Sequence, residues 1–463
     1  MTFNLTIFIA VDAILAAVAL YSAAVARFGY SEVSQKLFAP STILITVIFI
    51  NVVLFSSHLM EAYDLGKNVK KREILVNILF STVTSFSLLS VVYYLDPDVM
   101  LGRGVLAISL CLFAFLQFCW HALYLVGDNH PRFSQRVLIL GTGALAAQIG
   151  AMITAKKRNF VLAGYATCNA DSQTNCAETD APEVPPDEIL GNCDELRDIT
   201  RRAQAGMIIV ALTERRGVFP LRDVLTCKLN GIQIMDAPSF YEIAQNKLML
   251  ESITPSWFIF SDGFQTTTIF SVCKRAIDII LSSVGLLITL PFFPLIALAI
   301  KLDSPGPVFF KQERVGNWET RFMLFKFRTM RQDAEKGTGA VWAEKNDPRV
   351  TKLGRFFRGS RIDEIPQLFN VLKGEMSFVG PRPERQEFVE KLKLVIPYYS
   401  KRHFIKPGLT GWAQVRYSYG SSVDDAVEKL RYDLYYIKNI GPFLDTLIFF
   451  ETIKVVLFGF GGR

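Results

Sequence analysis

The chain has 463 residues, 51% of them hydrophobic and 20% charged, with a formal net charge of +7 and a mean hydropathy of +0.29. That length asks for two or three modules. The balance is too apolar for a wholly soluble protein and too charged for a bundle made only of spanning helices, so a membrane part joined to a soluble part is expected. The excess of cations suits an anionic membrane face or a phosphate-rich substrate. No nucleic-acid-binding motif accompanies it, so nucleic acid is not an expected partner.

Four apolar runs come first, at about 5–26, 41–60, 74–95 and 104–126, each near the ~20 residues that cross a bilayer core. Between the second and third stand Lys67, Lys70, Lys71 and Arg72; the first loop has Arg27 and Lys36, and the third has only Arg103. The positive-inside rule then puts residues 61–73 in the cytosol, together with the amino terminus and everything after residue 127. The first run lacks the basic leader and small-residue cleavage site of a signal peptide. The expected location is a membrane crossed several times, with cytosolic soluble domains.

Seven cysteines are scattered along the chain without a Cys-x-x-Cys or zinc spacing. Unpaired, as Cys168, Cys176 and Cys193 are expected to be in a polar stretch, they fit a reducing compartment.

Next, Arg136-Val137-Leu138-Ile139-Leu140 reads as a buried parallel strand, and Gly141-Thr142-Gly143-Ala144-Leu145-Ala146 opens a helical run to Lys157. This is the G-x-G-x-x-A form of the dinucleotide fingerprint in its strand-turn-helix setting. Strands at Phe160–Ala166, Met207–Leu212 and Ile232–Asp236 alternate with helices near Asp194–Ala203 and from Pro220, which predicts a small doubly wound, Rossmann-like α/β domain over 131–250. The acid that would hold a ribose is not evident, since Asp171 is late and in a loop. The glycines therefore serve either a tight turn or a bound nucleotide, and both readings stay open. Residues 251–271 read as a linker.

A fifth apolar segment, Ala276 to Ile300, would reach ~37 Å as one straight helix. Basic residues flank both ends (Lys274, Arg275; Lys301), and Pro291 and Pro294 interrupt the middle. A re-entrant hairpin broken at Pro291 is expected, with both ends in the cytosol and Thr289 close enough to help the broken backbone.

Beyond it, Gly359-Ser360-Arg361-Ile362-Asp363-Glu364-Ile365-Pro366-Gln367 sets two adjacent acids among cations. Lys352, Arg355, Arg358 and Arg361 recur every third residue upstream, and Arg382 and Arg385 follow. A carboxylate among so many cations is either a salt-bridge partner or a nucleophile for a polyanionic substrate. Arg358 and Arg361 are candidates for lipid phosphate or anionic headgroups. Arg382, fixed between Pro381 and Pro383, is suited to bidentate phosphate recognition, with Arg385 beside it. In Phe325-Lys326-Phe327-Arg328, strand alternation would put both cations on one face, as an active-site wall or a solvated surface. His403 reads as structural, and Phe443–Phe460 as an interfacial helix.

Five ordered stretches identify the region. Lys301-Leu-Asp-Ser-Pro-Gly-Pro-Val-Phe-Phe310, Lys326-Phe-Arg-Thr-Met330, Arg361-Ile-Asp-Glu-Ile-Pro-Gln367, Gly374-Glu-Met-Ser-Phe-Val-Gly-Pro-Arg-Pro383 and Lys406-Pro-Gly-Leu-Thr-Gly-Trp-Ala-Gln414 resemble the bacterial sugar transferase family. These are the polyprenyl-phosphate phosphoglycosyl transferases that start exopolysaccharide or O-antigen synthesis, and the four-helix front looks like their larger members. The resemblance implies a monotopic catalytic domain over 272–463. It implies Asp363 as covalent nucleophile toward a UDP-sugar, release of UMP, and transfer of the phosphosugar to undecaprenyl phosphate. It also implies Glu364 as a Mg²⁺ ligand. A homo-oligomer and other polysaccharide assembly proteins are open as partners. Two departures stand out: Leu290-Pro291 replaces a Ser-Pro common at the hairpin break, and Val415-Arg416-Tyr417-Ser418-Tyr419 replaces a Val-Asn-Gly seen in some members, so the sugar does not carry over.

Two other classes fit the sequence less well. A membrane-tethered nucleotide-sugar dehydratase needs a second glycine fingerprint and a Tyr-x-x-x-Lys pair, and the only such spacing is Tyr63…Lys67 in a membrane loop. A non-catalytic assembly scaffold would have no need of the acid pair.

Overall fold

A computed structural model describes residues 2–36, 39–63, 71–127, 135–155, 160–168, 183–212, 219–332, 347–417, 420 and 422–458. Lys67, Lys70, Lys157, Asp171, Cys176, Ser418 and Tyr419 lie outside them. The chain divides into two compact units, Met1–Phe240 and Tyr241–Arg463.

The first unit opens with helices Thr2–Phe28, Pro40–Leu59, Lys71–Leu95 and Arg103–Gly127, each long and apolar enough to cross a membrane. Ala16, Ala19 and Ala23 recur at helical spacing on the first and are fully buried, packed with Phe49, Val53, Val105 and Phe113. Small side chains let helix backbones approach where lipid offers no hydrophobic drive.

The α/β part of this unit is a five-stranded parallel sheet, as its alternating strands and helices predict. Strands β1 (Gln135–Leu140), β2 (Phe160–Thr167), β3 (Ile189–Asn192), β4 (Met207–Val210) and β5 (Gln233–Asp236) lie in the order β3-β2-β1-β4-β5. Central β1 buries Val137 to Leu140 completely, which explains its unbroken apolar run. Gly141 takes φ +118°, and a Cβ there would stand 2.6 Å from the Ala211 carbonyl oxygen. Gly150, on the helix Ala144–Ala155, gives room to the Tyr165 hydroxyl. Positive φ and close packing account for Gly141, and close packing for Gly150.

Sequence reading missed β3, a four-residue strand, and it missed the cysteine pairing. Cys168 and Cys193, at the ends of β2 and β3, form a disulfide with Cα atoms 5.1 Å apart. The expectation of unpaired thiols is corrected, because two adjacent parallel strands bring together residues far apart in sequence. The cysteines therefore no longer argue for a reducing compartment.

In the second unit, residues read from sequence as linker belong to the core. Ile253 is buried with Trp412, Leu430 and Leu434, as is Leu248 just before the stretch, and Trp257, Phe258 and Phe264 pack against them. A hairpin of β6 (Phe309–Val315) and β7 (Arg321–Phe327) is antiparallel, with Lys326 opposite Phe310. A short parallel pair joins β8 (Ser377–Val379) to β9 (Gly408–Thr410).

The long apolar segment comprises helix Thr268–Thr289, a 3₁₀ turn Leu290–Phe292 and helix Phe293–Asp303. Pro291, which has no N–H to give, sits in that 3₁₀ turn, where the backbone stays right-handed helical at Thr289, Phe292 and Phe293. Thr289 donates its hydroxyl to the Gly285 carbonyl at 2.7 Å, a back-bond that favours bending. Polar residues on one stripe of the first arm tie it down. Lys274 Nζ reaches Asp445 at 2.6 Å. Arg275 donates to the Val371 and Leu372 carbonyls at 2.6 and 2.7 Å. Asp278 accepts the Phe378 N–H at 2.8 Å. The second arm packs Phe293 and Ile300 with Phe327 and Phe357, and the Phe293 ring lies 6.5 Å from that of Phe369. Both arms thus touch the short helix Gln367–Lys373.

The last helix, Pro442–Phe458, turns its charges inward. Asp445 meets Lys274, and the buried Lys454 meets Glu451 at 2.8 Å.

Candidate active site

Local backbone sets the acid pair. Helix Lys352–Ser360, capped by the Thr351 side chain, ends at Arg361, which adopts the left-handed conformation at φ 57°. That reversal starts a 3₁₀ turn, Ile362–Glu364, which carries both acids. The arginine series stops following the helix there, so Arg361 points its charge back at the turn.

Asp363 and Glu364 are 6% and 8% exposed, yet their surroundings differ. Glu364 Oε1 accepts from Lys326 Nζ at 3.0 Å and from Arg382 Nη2 at 2.8 Å, while Oε2 lies 3.5 Å from Arg361 Nη1. Burial alone would raise its pKa, but Lys326, Arg382 and Arg361 overcome it and hold the carboxyl well below the usual range. No hydrogen bond among the described residues engages Asp363. Burial raises its pKa, Lys326 opposes that, Glu364 adds to it, and Arg358 and Arg382 oppose it. One acid is pinned; its neighbour keeps its lone pairs.

Lys326 arrives on β7, which Asn370 holds in place. Asn370 accepts the Phe325 N–H at 3.2 Å and donates to the Met323 carbonyl at 2.7 Å, so the helix following the acids is keyed to the strand bearing the lysine. Arg328 goes elsewhere. β7 ends at Phe327, the alternation stops, and Arg328 donates to the Ser304 carbonyl at 2.6 Å, closing the second apolar arm. The two cations expected on one face are separated by that strand end. Arg358 Nε donates to Thr329 Oγ1 at 3.0 Å. Arg385 turns to Glu387 at 3.4 Å and to the Phe388 ring.

Arg382 uses its other arm on Gln414 Oε1 at 3.4 Å, and its carbonyl accepts from Arg402 Nη2 at 3.1 Å. Arg402 is buried against Asp433 at 2.8 Å. Gln414, Arg402, Asp433 and Asn370 were not singled out from sequence, and Arg275 was read only as a basic flank of the apolar segment. Gln414 alone lay in a quoted motif, and Arg402, Asp433 and Asn370 carry no local signal. His403 is buried, and its pKa is pushed down to about 3 by burial, then by Arg402 and Lys393, so it is neutral at pH 7.

Mg²⁺ is the metal the resemblance implies. Among the described residues, no third His, Cys, Asp or Glu joins the acid pair into a metal-binding group. The two carboxylates are hard-oxygen donors of the right kind, and Mg²⁺ commonly binds through one or two such groups plus substrate phosphates. By donor type the pair fits the ion as a partial shell.

Comparison with known proteins bears on this arrangement. Residues 269–459 match the family described as bacterial sugar transferase. An exopolysaccharide production protein of Rhizobium leguminosarum bv. phaseoli is 43% identical over 187 residues, 39% of this chain and 94% of that protein. A UDP-N-acetylgalactosamine-undecaprenyl-phosphate N-acetylgalactosaminephosphotransferase of Aeromonas hydrophila is 47% identical over 195 residues, 42% of this chain and 46% of the relative. An undecaprenyl-phosphate glucose phosphotransferase of Komagataeibacter xylinus is 35% identical over 335 residues, 71% of this chain and 60% of the relative. The match thus spans roughly half of the length of these last two relatives. With the acid pair set in its ring of cations and the catalytic region matched almost from end to end of the Rhizobium protein, the chain belongs to the bacterial sugar transferase family.

Proposed function

We propose that the chain transfers a sugar-1-phosphate from a UDP-sugar to undecaprenyl phosphate, releasing UMP and starting synthesis of an exopolysaccharide or O-antigen. The observation that carries the reading is the contrast between the acids: Glu364 is held by three cations, and Asp363 is buried beside them with no hydrogen bond among the described residues.

An Asp363 oxygen attacks the sugar-bearing phosphorus of the donor. The phosphoanhydride bond breaks and UMP leaves with the electron pair, giving an aspartyl-phosphosugar. A lipid phosphate oxygen then attacks the same phosphorus, expels the Asp363 carboxylate and yields a polyprenyl diphosphate-linked sugar. One difficult displacement becomes two through a labile acyl phosphate. Lys326, Arg382 and Arg361 lower the repulsion between carboxylate and diphosphate, and Arg358 and Arg385 stand ready for lipid or nucleotide phosphate. With Glu364 as its protein ligand, bound Mg²⁺ supplies further neutralisation of the diphosphate. His403 is not needed as a base, since neither step removes a proton.

The apolar segment is read as a re-entrant hairpin dipping into the bilayer, with the catalytic region in the cytosol. Supporting this, Arg275 near the start donates to the helix Gln367–Lys373, and at the far end the Ile300 and Ser304 carbonyls accept from Arg328, so both ends pack on the catalytic region. A segment that crossed the bilayer would part its two ends. We divide the chain into 1–130 membrane helices, 131–240 α/β domain and 241–463 catalytic domain, the last taking in the segment 251–271 that packs in its core.

The test uses full-length protein in membranes with undecaprenyl phosphate and a panel of UDP-sugars. UMP release is expected with at least one sugar, and Asp363→Asn should abolish it. Quenching without lipid acceptor should leave a phosphosugar mass on the peptide containing Asp363. Product formation with no such adduct, or an active Asp363→Asn protein, overturns the mechanism.

A further inference from the structure

The four membrane helices enclose a polar cluster that the transfer chemistry leaves unused. Asp12 lies on the first helix, Ser57 on the second, Ser81 on the third, and Gln117 and His121, one turn apart, on the fourth; none is more than 4% exposed. Gln117 Nε2 donates to Asp12 Oδ2 at 2.6 Å and to Ser57 Oγ at 3.1 Å. The Ser57 and Ser81 hydroxyls are 3.0 Å apart, and His121 Nε2 lies 3.3 Å from Asp12 Oδ2. Tyr63 closes over the group, its ring 6.0 Å from that of His121.

The cluster is unbalanced in one direction. Asp12 Oδ1 and Gln117 Oε1 are buried without a hydrogen bond among the described residues, and the buried Tyr63 hydroxyl faces Asp12 and Ser57. No lysine or arginine among those residues pairs with Asp12; its one ion-pair partner is His121. A carboxylate inside an apolar bundle is costly unless something neutralises it, and intramembrane acids accordingly mark functional sites. Surplus lone pairs around a buried anion call for a cation.

Donor chemistry narrows the class. Imidazole nitrogen with carboxylate oxygen favours transition metals over Mg²⁺ or Ca²⁺. Two ligands each ~2.0–2.2 Å from a zinc-sized ion lie about 3–3.6 Å from one another, and Asp12 Oδ2 and His121 Nε2 are 3.3 Å apart. We propose that the bundle holds a divalent transition-metal ion of the zinc class between Asp12 and His121, with the Gln117 carbonyl and Tyr63 hydroxyl oxygens completing its shell. Two strong ligands plus neutral oxygens make an exchangeable site, distinct from the acid pair at residues 363 and 364.

Full-length protein in lipid nanodiscs, stripped with EDTA and desalted, is titrated with Zn²⁺, and its metal content is read by mass spectrometry. Co²⁺ replaces Zn²⁺ for visible absorption. About one ion per chain is expected in the wild type, with a thermal upshift on Zn²⁺ addition. Asp12→Asn and His121→Gln should each weaken uptake by about tenfold or more. Glu364→Gln should leave uptake intact, which separates this site from the transferase centre and keeps the result independent of the transfer mechanism. A wild-type protein that takes up no Zn²⁺ overturns the proposal and leaves a hydrogen-bonded packing seam. So does full uptake in both bundle variants, or uptake lost only in Glu364→Gln. If Asp12→Asn does not fold, the wild-type stoichiometry and His121→Gln decide.

Discussion

Arg402 donates Nη2 to the carbonyl oxygen of Arg382 at 3.1 Å, while Arg382 reaches Glu364 Oε1 at 2.8 Å. Behind Arg402 stands the buried Asp433, bonded from Nε at 3.1 Å and from Nη2 at 2.8 Å. The pair fixes the backbone of the Pro-Arg-Pro stretch from below, so the guanidinium above it starts from a set position. Removing one partner of a buried ion pair strands the other charge, at a cost of about 3–5 kcal/mol. Asp433→Asn should therefore lower the thermal midpoint markedly. Arg402→Lys keeps the charge and loses the fork; it should cut turnover about 10- to 100-fold through misplacement of Arg382. UMP-release kinetics on folded Arg402→Lys protein decide this, and unchanged kinetics would remove Arg402 from the account.

Lys326 acts on both acids. Burial raises the Asp363 pKa and Lys326 is the largest opposing influence, so losing that cation must raise it further. In Lys326→Met the carboxylate ionises only at higher pH, and the acidic limb of the pH–activity profile should move upward with it. UMP release followed from pH 5 to 8 checks the direction. A limb that stays in place, or shifts to lower pH, contradicts the assignment of Asp363 as the group that must be ionised.

Arg275 closes the carboxyl end of the helix that follows the acids, donating to the Val371 and Leu372 carbonyls. Cations are favourable at that end of a helix, and these bonds are charge-assisted. Arg275→Met should cost about 1.5–3 kcal/mol and loosen the first apolar arm from the acid-bearing region. Urea or thermal unfolding measures the first effect. Protease nicking between residues 362 and 375, faster in the variant than in the wild type, reports the second.

His403 carries a stability signature. Its folded pKa is held down to about 3, while an unfolded histidine titrates near 6.5. Below about pH 6.5 the unfolded chain binds a proton that the folded chain refuses, so this contribution is fully present above that pH and is lost progressively as pH falls toward 3, by at most ~1.4 kcal/mol per unit. His403→Gln should flatten the fall in thermal midpoint between pH 6.5 and 4. Parallel wild-type and variant curves across that window would show that His403 does not titrate this way.

Much of the site was legible before the fold because its chemistry is local. Asp363, Glu364 and Arg361 are near neighbours in one turn, and Arg382 is flanked by prolines that fix it wherever the loop goes. Lys326 and Arg328 read alike as sequence, two residues apart on a strand. They part company because β7 ends between them and the backbone hands Arg328 to Ser304. Cys168 and Cys193 likewise look unrelated until β2 and β3 are laid side by side.

By itself the sequence determined the membrane helices, the parallel sheet, the departure from α-helix at Pro291 and the acid pair. Each follows from short-range physics: a hydrophobic period, a missing N–H, a run of charges. Only the tertiary structure decided which acid is pinned and which is left with free lone pairs, and which buried residues hold the cations in place. It likewise placed Asp12 against His121 across the bundle. Those outcomes depend on contacts between residues as much as 109 positions apart, and packing alone selects such contacts.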